Sequence, residues 1–456
     1  MGWKVYIKEQ ADYDAKKIAP IAAEILNQIG VDLKHKTVLV KPSFVYPSRS
    51  PATLPIITNP QFVVGVAKAL KGLGARRILI GESSILGPAR FSFHAVDILP
   101  LIRGLAEPVY LDEAENVEVK VKNPLVQKSF KVPRVWLDAD IFLSMPKIKT
   151  NLFSGITLTV KNNLGLLRQR ERLSYHDYRL HKKLADLFTI RPPELVFADC
   201  ITAGEGQGPL LATPVKLGLI IAGTNALAVD VSACALVGFN TEVEHIKLLA
   251  EKGFGPADIS EVEVVGWEDI GARKKIFLKP QTTLEDLSPN LKIFRGDDSL
   301  CMAGCAGMIR GLIDPYLVDG ADGVKPMNVI FGKLVKELPY NLDPRITLVV
   351  GDCAQSHKEL GAFIPGCCPR PIDIAIELHR IQGSAKSLEI SLSDAVSAIK
   401  AYTGHYLWRC GKLLAGKPLE PIENHLPFHR MLKAALRELL SRLSSRSFIT
   451  SNFRKN

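Results

Sequence analysis

The sequence predicts an α/β protein: a mostly parallel sheet with flanking helices, then a smaller C-terminal cysteine-containing α/β domain and a basic helical tail. Three observations carry this expectation. Short β-branched runs alternate with helix-patterned stretches through the first two-thirds of the chain, the order that builds parallel sheets. At 456 residues the chain is too long for one ordinary core, so two or three domains are expected. Five of the eight cysteines fall between residues 301 and 368.

The expected strands are "KTVLVKPSF" (36–44), "RRILIGES" (76–83), "DADIFLSMPKIK" (138–149), "ELVFADC" (194–200), "KLGLIIAG" (216–223) and "EVEVVG" (261–266). Between the first two lies a helix over 59–74. Asn59 is placed to cap it, Pro60 suits its first position and Gly74 its end. A first domain is read over 1–270 and a charge-rich linker over 271–298. A cysteine domain with one clear strand, "RITLVVGDC" (345–353), covers 299–400, and a helical basic tail covers 401–456. In the tail Leu432, Leu436, Leu439, Leu440 and Leu443 recur at helical spacing.

The net charge is +11, and the segment from Arg430 onward carries seven basic residues against one acidic, or +6 of it. The body is thus only mildly basic and shows no nucleic-acid motif, so nucleic acid is not the favoured partner. Docking of the tail on an acidic membrane surface is a second use of that charge, and it is not the favoured one either. The N-terminus lacks a secretory apolar core, and Tyr6 breaks the myristoylation pattern after Met-Gly. The most apolar stretch, 215–239, contains Asn225 and Asp230 and reads as strand followed by helix. A cytoplasmic protein is expected.

The cysteines group as Cys301 and Cys305 in "CMAGCAG", Cys353 in "VVGDCAQ", and Cys367 with Cys368 in "PGCCPRP". Cys200 and Cys234 read as core residues. A disulfide framework does not suit a large chain of this kind. Glycines 304, 307, 351 and 366 lie within two residues of a cysteine, giving the backbone freedom for four thiolates to converge on a [4Fe–4S] cluster. A structural zinc is the rival, although zinc sites usually use two compact pairs. Cys301, Cys305, Cys353 and Cys367 are the candidate ligands, with Cys368 as substitute for Cys367.

A second group of polar residues falls at predicted strand ends. "SMPKIKTNLFSGITLTVKNNLGLL" (144–167) supplies Lys147, Lys149, Thr150, Lys161, Asn162 and Asn163; Lys41 and Glu82 end earlier strands. Lysines, hydroxyls and glycines at such ends suit a small anionic ligand, phosphate or carboxylate. A solvated lysine-bearing loop is the plain alternative. Asp199, Glu205 and Asp230 are candidates for a divalent metal on oxygen ligands or for positioning a substrate hydroxyl, and Glu205 and Asp230 are counted with the ligand-binding residues. Asp199, Glu205 and Lys161 are the catalytic candidates. His176, Asp177 and His181 lie on one helical stretch, but the two histidines are five apart and share a face poorly.

Taken together, "VLVKPSF", "MPKIKTNLFSGITLTVKNNLG", "LHKKLADL", "PPELVFADCITAGEGQGP", "NALAVDVSACALVGF" and "KGFGPADISEVEVVG" resemble the family called domain of unknown function 362, over roughly residues 36–266. The resemblance implies a frequent association with iron–sulfur modules. Two positions depart from the pattern it implies: Ser43 stands where asparagine is expected, and Asn151 where histidine is expected. The second departure removes a proton carrier or metal ligand, while lysine-based binding survives. "GCCPRP" is similar to the glycine–cysteine–proline–proline motif near clusters of hydrogenase and quinone-reductase small subunits, which makes Cys367 the ligand.

The leading expectation is an iron–sulfur protein whose first domain binds a small anion and whose cluster serves an oxidoreductase, with an electron-transfer protein as partner. The alternatives are a zinc-stabilised binding module without redox chemistry, or a non-redox metal-dependent enzyme acting on a phosphorylated or carboxylated substrate.

Overall fold

The structure is a computed structural model that describes residues 3–45, 53–85, 87–239, 243–267, 274–296, 301–318, 320, 323–333, 335–336, 338–383 and 392–419. The leucine-bearing segment beyond 420, expected to be helical, lies outside the described residues. Among the described residues no helix is long and apolar enough to cross a membrane.

Among the described residues, twelve strands belong to the first part of the chain: β1 (Trp3–Glu9), β2 (Thr37–Pro42), β3 (Arg77–Glu82), β4 (Glu107–Tyr110), β5 (Asn116–Lys120), β6 (Ser129–Pro133), β7 (Ile141–Met145), β8 (Lys147–Asn151), β9 (Gly155–Thr157), β10 (Leu195–Gln207), β11 (Leu211–Gly223) and β12 (Val262–Val265). The main sheet runs β12-β1-β11-β10-β7-β2-β3-β4, with β8 added beside β10 and β9 beside β8. Strands β4, β3, β2, β7 and β10 are mutually parallel. Strand β11 turns back antiparallel on β10 and pairs β1 on its other edge.

Both faces of this sheet are covered, which is why its strands read as near-continuous apolar runs. Val38, Val40, Ile78, Ile80, Ile141 and Leu143 face a core shared with the helices Ala15–Ile29 and Pro60–Gly72. The alternate residues Leu39, Leu79, Phe142 and Val196 face the helices Leu180–Ile190 and Ala226–Val237 through Leu184, Phe188, Leu227 and Val231. Asn59 caps Pro60–Gly72 as expected, its side chain accepting from the Gln61 N–H.

The C-terminal domain is a four-stranded parallel sheet in sequence order: β13 (Leu291–Arg295), β14 (Met327–Phe331), β15 (Thr347–Val350) and β16 (Ala362–Ile364). The helix Cys305–Leu317 bridges β13 and β14, and Pro371–Gln382 packs against it. The helix Leu392–Leu414 returns to the first domain, where His405 Nδ1 lies 2.9 Å from Glu113 Oε1.

Three boundaries differ from those expected. The run 138–149 is two strands, because Pro146 has no N–H to continue a ladder. The segment 271–298 is not all linker. Its chain is bonded along the first domain by Lys275 N to Leu236 O and Phe277 N to Val237 O, and it ends in β13. Helix begins at Leu392, nine residues before the expected start of the helical tail at 401.

Candidate functional site

A cavity of about 300 Å³ opens beyond the C-terminal ends of β2 and β3 and is closed from the other side by the C-terminal domain. The first domain contributes Lys41, Glu82, Lys149, Lys161, Arg172 and His176; the helices Cys305–Leu317 and Pro371–Gln382 contribute Met308, Leu312, Asp314 and Pro371. Its position is where open parallel sheets bind ligands.

The cations of the cavity are not equivalent. Lys41 is fully buried: its Nζ lies 3.0 Å from Glu82 Oε2 and donates to Pro42 O at 2.7 Å and Asn162 Oδ1 at 3.2 Å. Glu82 also accepts from the Phe44 and Ser83 N–H groups, each at 2.9 Å, so both partners of the pair are held in place. Burial pushes the Lys41 ammonium down, against the pull of Glu82. A Cβ at Gly165 would lie 2.7 Å from Glu82 Oε1, so only glycine allows this close approach. Lys149 donates to Ile56 O, and burial next to Lys161 and Lys147 holds it well below its ordinary value. Arg172 donates to Ser83 Oγ and to Leu167 O.

Lys161 differs from all of these. It is 9% exposed, faces the cavity, and among the described residues its ammonium has no hydrogen-bond or ion-pair partner. Burial, with Arg172 nearby, lowers it to about 8. His176 is neutral: burial and then Lys161 push it down to about 3, while Nδ1 meets Ala303 O at 2.7 Å. With Nδ1 donating to that carbonyl, Nε2 is the acceptor nitrogen.

Of the other sequence candidates, Asn162 joins the cavity, bonding Lys41 O and Ser144 Oγ at 3.1 Å each. Thr150 donates to Gly206 O and Asn163 is fully buried; neither lines the cavity. Lys147 is turned into a separate buried knot, with Asp199 Oδ2 at 3.1 Å and Tyr13 Oη at 2.7 Å. Tyr13 donates to Asp199 Oδ1 at 2.9 Å, and the Asn59 N–H closes the knot on Oδ2. Glu205 lies in a different groove, accepting from the Leu278 N–H. Asp230 accepts from the Thr159 and Val160 N–H groups, and burial raises it to about 7. Asp199, Glu205 and Asp230 are therefore each engaged elsewhere and do not gather as an oxygen-ligand set. Asn151 shapes the turn after β8, its Oδ1 accepting from the Phe153 and Ser154 N–H groups and its Nδ2 donating to Thr157 Oγ1.

"LHKKLADL" also proves structural. Lys183 Nζ is buried on the carbonyls of Glu171, Arg172 and Ser174, and Asp186 accepts from the N–H groups of Leu125, Val126 and Gln127. His181 Nδ1 meets His245 Nδ1 at 3.0 Å, away from the cavity lining. Sequence reasoning missed Arg172, which sits in a run of charges indistinguishable from a solvated face, and it missed Tyr13.

The C-terminal cysteines are neighbours. Burial and then the Cys301, Cys367 and Cys353 thiols push Cys305 up to about 12. Burial raises Cys301 and Cys367, and Asp177 adds to the rise in both. Cys367 Sγ lies 3.9 Å from Asp177 Oδ2, and Asp177 is ion-paired to Arg179. A Cβ at Gly304 would stand 2.5 Å from Cys301 Sγ, and one at Gly351, whose φ is +89°, 2.8 Å from Cys305 Sγ. Cys353 and Cys367 are exposed, whereas Cys368 packs into the core with Met308 and Ile374. Among the described residues no group of three or more His, Cys, Asp or Glu side chains is gathered tightly enough to hold a metal ion.

Fold and site together define a two-domain α/β protein with a cationic cavity at the domain boundary and a group of thiols next to its wall. Residues 38–235 match the model of the Domain of unknown function (DUF362) family. The thylakoid-associated protein sll1697 of Synechocystis is 25% identical over 206 residues, 42% of this chain; the chain spans 60% of the length of that curated relative. The lactate racemase apoprotein of Thermoanaerobacterium thermosaccharolyticum aligns at 12% identity over 52% of this chain and 57% of its own, with a TM-score of 0.33. A Thermotoga maritima protein aligns at 10% identity over 73% and 74%, also at 0.33.

Proposed function

We propose that this is an iron–sulfur protein carrying a [4Fe–4S] cluster on Cys301, Cys305, Cys353 and Cys367, and that it binds a small anion in the adjacent cavity for a redox reaction. The observation that carries the reading is the convergence of the cysteines beside the cavity. The Cys301, Cys353 and Cys367 thiols, 4 to 62 residues from Cys305 in the sequence, push the Cys305 thiol up, and a metal cluster would relieve that by drawing off the thiol protons. A second observation supports the reading: bare backbone at Gly304 and Gly351 lets two of the sulfurs approach the main chain more closely than any side chain there would allow.

Cys367 is supported over Cys368 as the fourth ligand, because it points outward to Asp177 while its neighbour fills the core. Such a cluster, when bound, supplies one-electron transfer at a potential set by its surroundings. The chain's own groups do the rest. Lys161 holds the anion, the Lys41–Glu82 pair fixes the cavity wall, and His176 joins that wall to Asp177 at the thiols. Exposed Cys353 and Cys367 put one side of the thiol group at the surface, where an electron-transfer protein can dock.

The test is the visible spectrum of protein purified anaerobically. A broad brown absorption is expected in wild type and in Cys410→Ala, whose thiol is exposed on the helix Leu392–Leu414, and its loss in Cys301→Ala and Cys367→Ala. Equal absorption in all four proteins, or none in wild type, rejects the assignment.

A further inference from the structure

We infer that the ligand of the cavity is an amphiphilic monoanion: a carboxylate seated on Lys161 and carried on a hydrocarbon or aromatic body. This rests on reading the cavity as an anion site and adds the chemistry of the rest of the ligand. Charge sets the head. Lys41 is offset by Glu82, Lys149 is spent on Ile56 O, and Arg172 is engaged by Ser83 and Leu167. Asp314, a carboxylate on the opposite wall, is tied to Arg310 Nε at 2.6 Å and to Gln207 Nε2 at 2.7 Å. Lys161 is left as the cation without a partner among the described residues. A desolvated ammonium with no counter-charge is costly, and one negative group within hydrogen-bond reach removes that cost.

The remaining wall sets the body. Leu152, Phe153, Leu173, Met308 and Leu312 face the cavity, the last two from the C-terminal domain. A hydrophilic anion such as inorganic phosphate would leave this apolar surface wet. Each methylene placed against it instead removes apolar surface from water and tightens binding. The apolar wall therefore selects for a ligand with a tail, and the Lys161 ammonium selects for a negative group at its end.

Calorimetric titration of the full chain with octanoate, acetate, inorganic phosphate and 1-octanol tests this. Octanoate is expected to bind at least about tenfold more tightly than each of the other three. Lys161→Gln should weaken octanoate at least about tenfold and leave 1-octanol unchanged. Lys161→Arg should retain octanoate, and Leu312→Gln should weaken octanoate while leaving acetate unchanged. Acetate or phosphate equal to octanoate would overturn the amphiphile and leave the anion site standing; 1-octanol equal to octanoate would overturn the head. Binding of none of the four would overturn both. The visible spectrum reports on the thiol assignment separately from all of these.

Discussion

At Lys161, burial acts on an ammonium that no described carboxylate accompanies. The group loses hydration on entering a 9% exposed position, which lowers its pKa to about 8. Anion binding requires the charged form, which dominates below that pKa. Octanoate affinity should therefore be full more than a unit below that value, where the ammonium is protonated, and fall as pH rises through about 8. Lys161→Arg, whose guanidinium stays charged, should flatten the profile. A pH-independent affinity in wild type would remove Lys161 from the head site. Lys161 itself was legible in the sequence as one of several lysines near strand ends. What the sequence could not distinguish was which lysines are spent: Lys147 and Lys161 stand in the same segment, yet a tyrosine 134 residues away in the chain claims the first.

At the scale of elements, the ends of β2 and β3 are locked by one buried ion pair, Lys41 with Glu82. Removing one partner of such a pair leaves an uncompensated charge inside the protein, at a cost of about 3–5 kcal/mol. Glu82→Ala should lower unfolding stability by that order in urea denaturation, whereas exposed Glu107→Ala, on β4 and paired to Arg77, should cost under about 1 kcal/mol. Similar losses in the two variants would show that the buried pair contributes nothing beyond a surface one. Strands β2, β3, β7 and β10 were readable because burial on both faces writes apolar runs into the sequence, whereas β1, β4 and β9 of the same sheet were not among the expected strands. Strands β13 and β16 were missed for the opposite reason, while β14 was missed although all five of its residues are buried. All three are short, and β13 alternates intermediate and exposed residues inside a charge-rich stretch that resembles a linker. The long antiparallel β10–β11 hairpin escaped as well, since each half extends beyond its apolar run into polar, glycine-bearing chain.

For the whole molecule, the cavity exists only because two domains share it. The first domain lines it with Lys41, Lys161 and Arg172 and the C-terminal domain with Met308, Leu312 and Asp314, so a ligand that fills it would touch both. Octanoate should raise the thermal midpoint of the intact chain by mass action on the folded state. It should also slow amide exchange in Cys305–Leu317 as well as near Lys161; protection confined to the first domain would place the ligand away from the boundary. The sequence showed the cysteines and the lysines as separate groups roughly 140 residues apart. Their meeting through His176 and Asp177 is a product of tertiary structure and had no sequence signal beyond a weakly placed histidine.

The cluster assignment stands or falls on iron, acid-labile sulfide and zinc per chain in protein purified without oxygen, measured for wild type and Cys367→Ala. Wild type should hold about four irons and four sulfides, as a [4Fe–4S] cluster requires, with a clear loss in the variant. Stoichiometric zinc, or a colourless metal-free wild type after expression with ample iron, would contradict it.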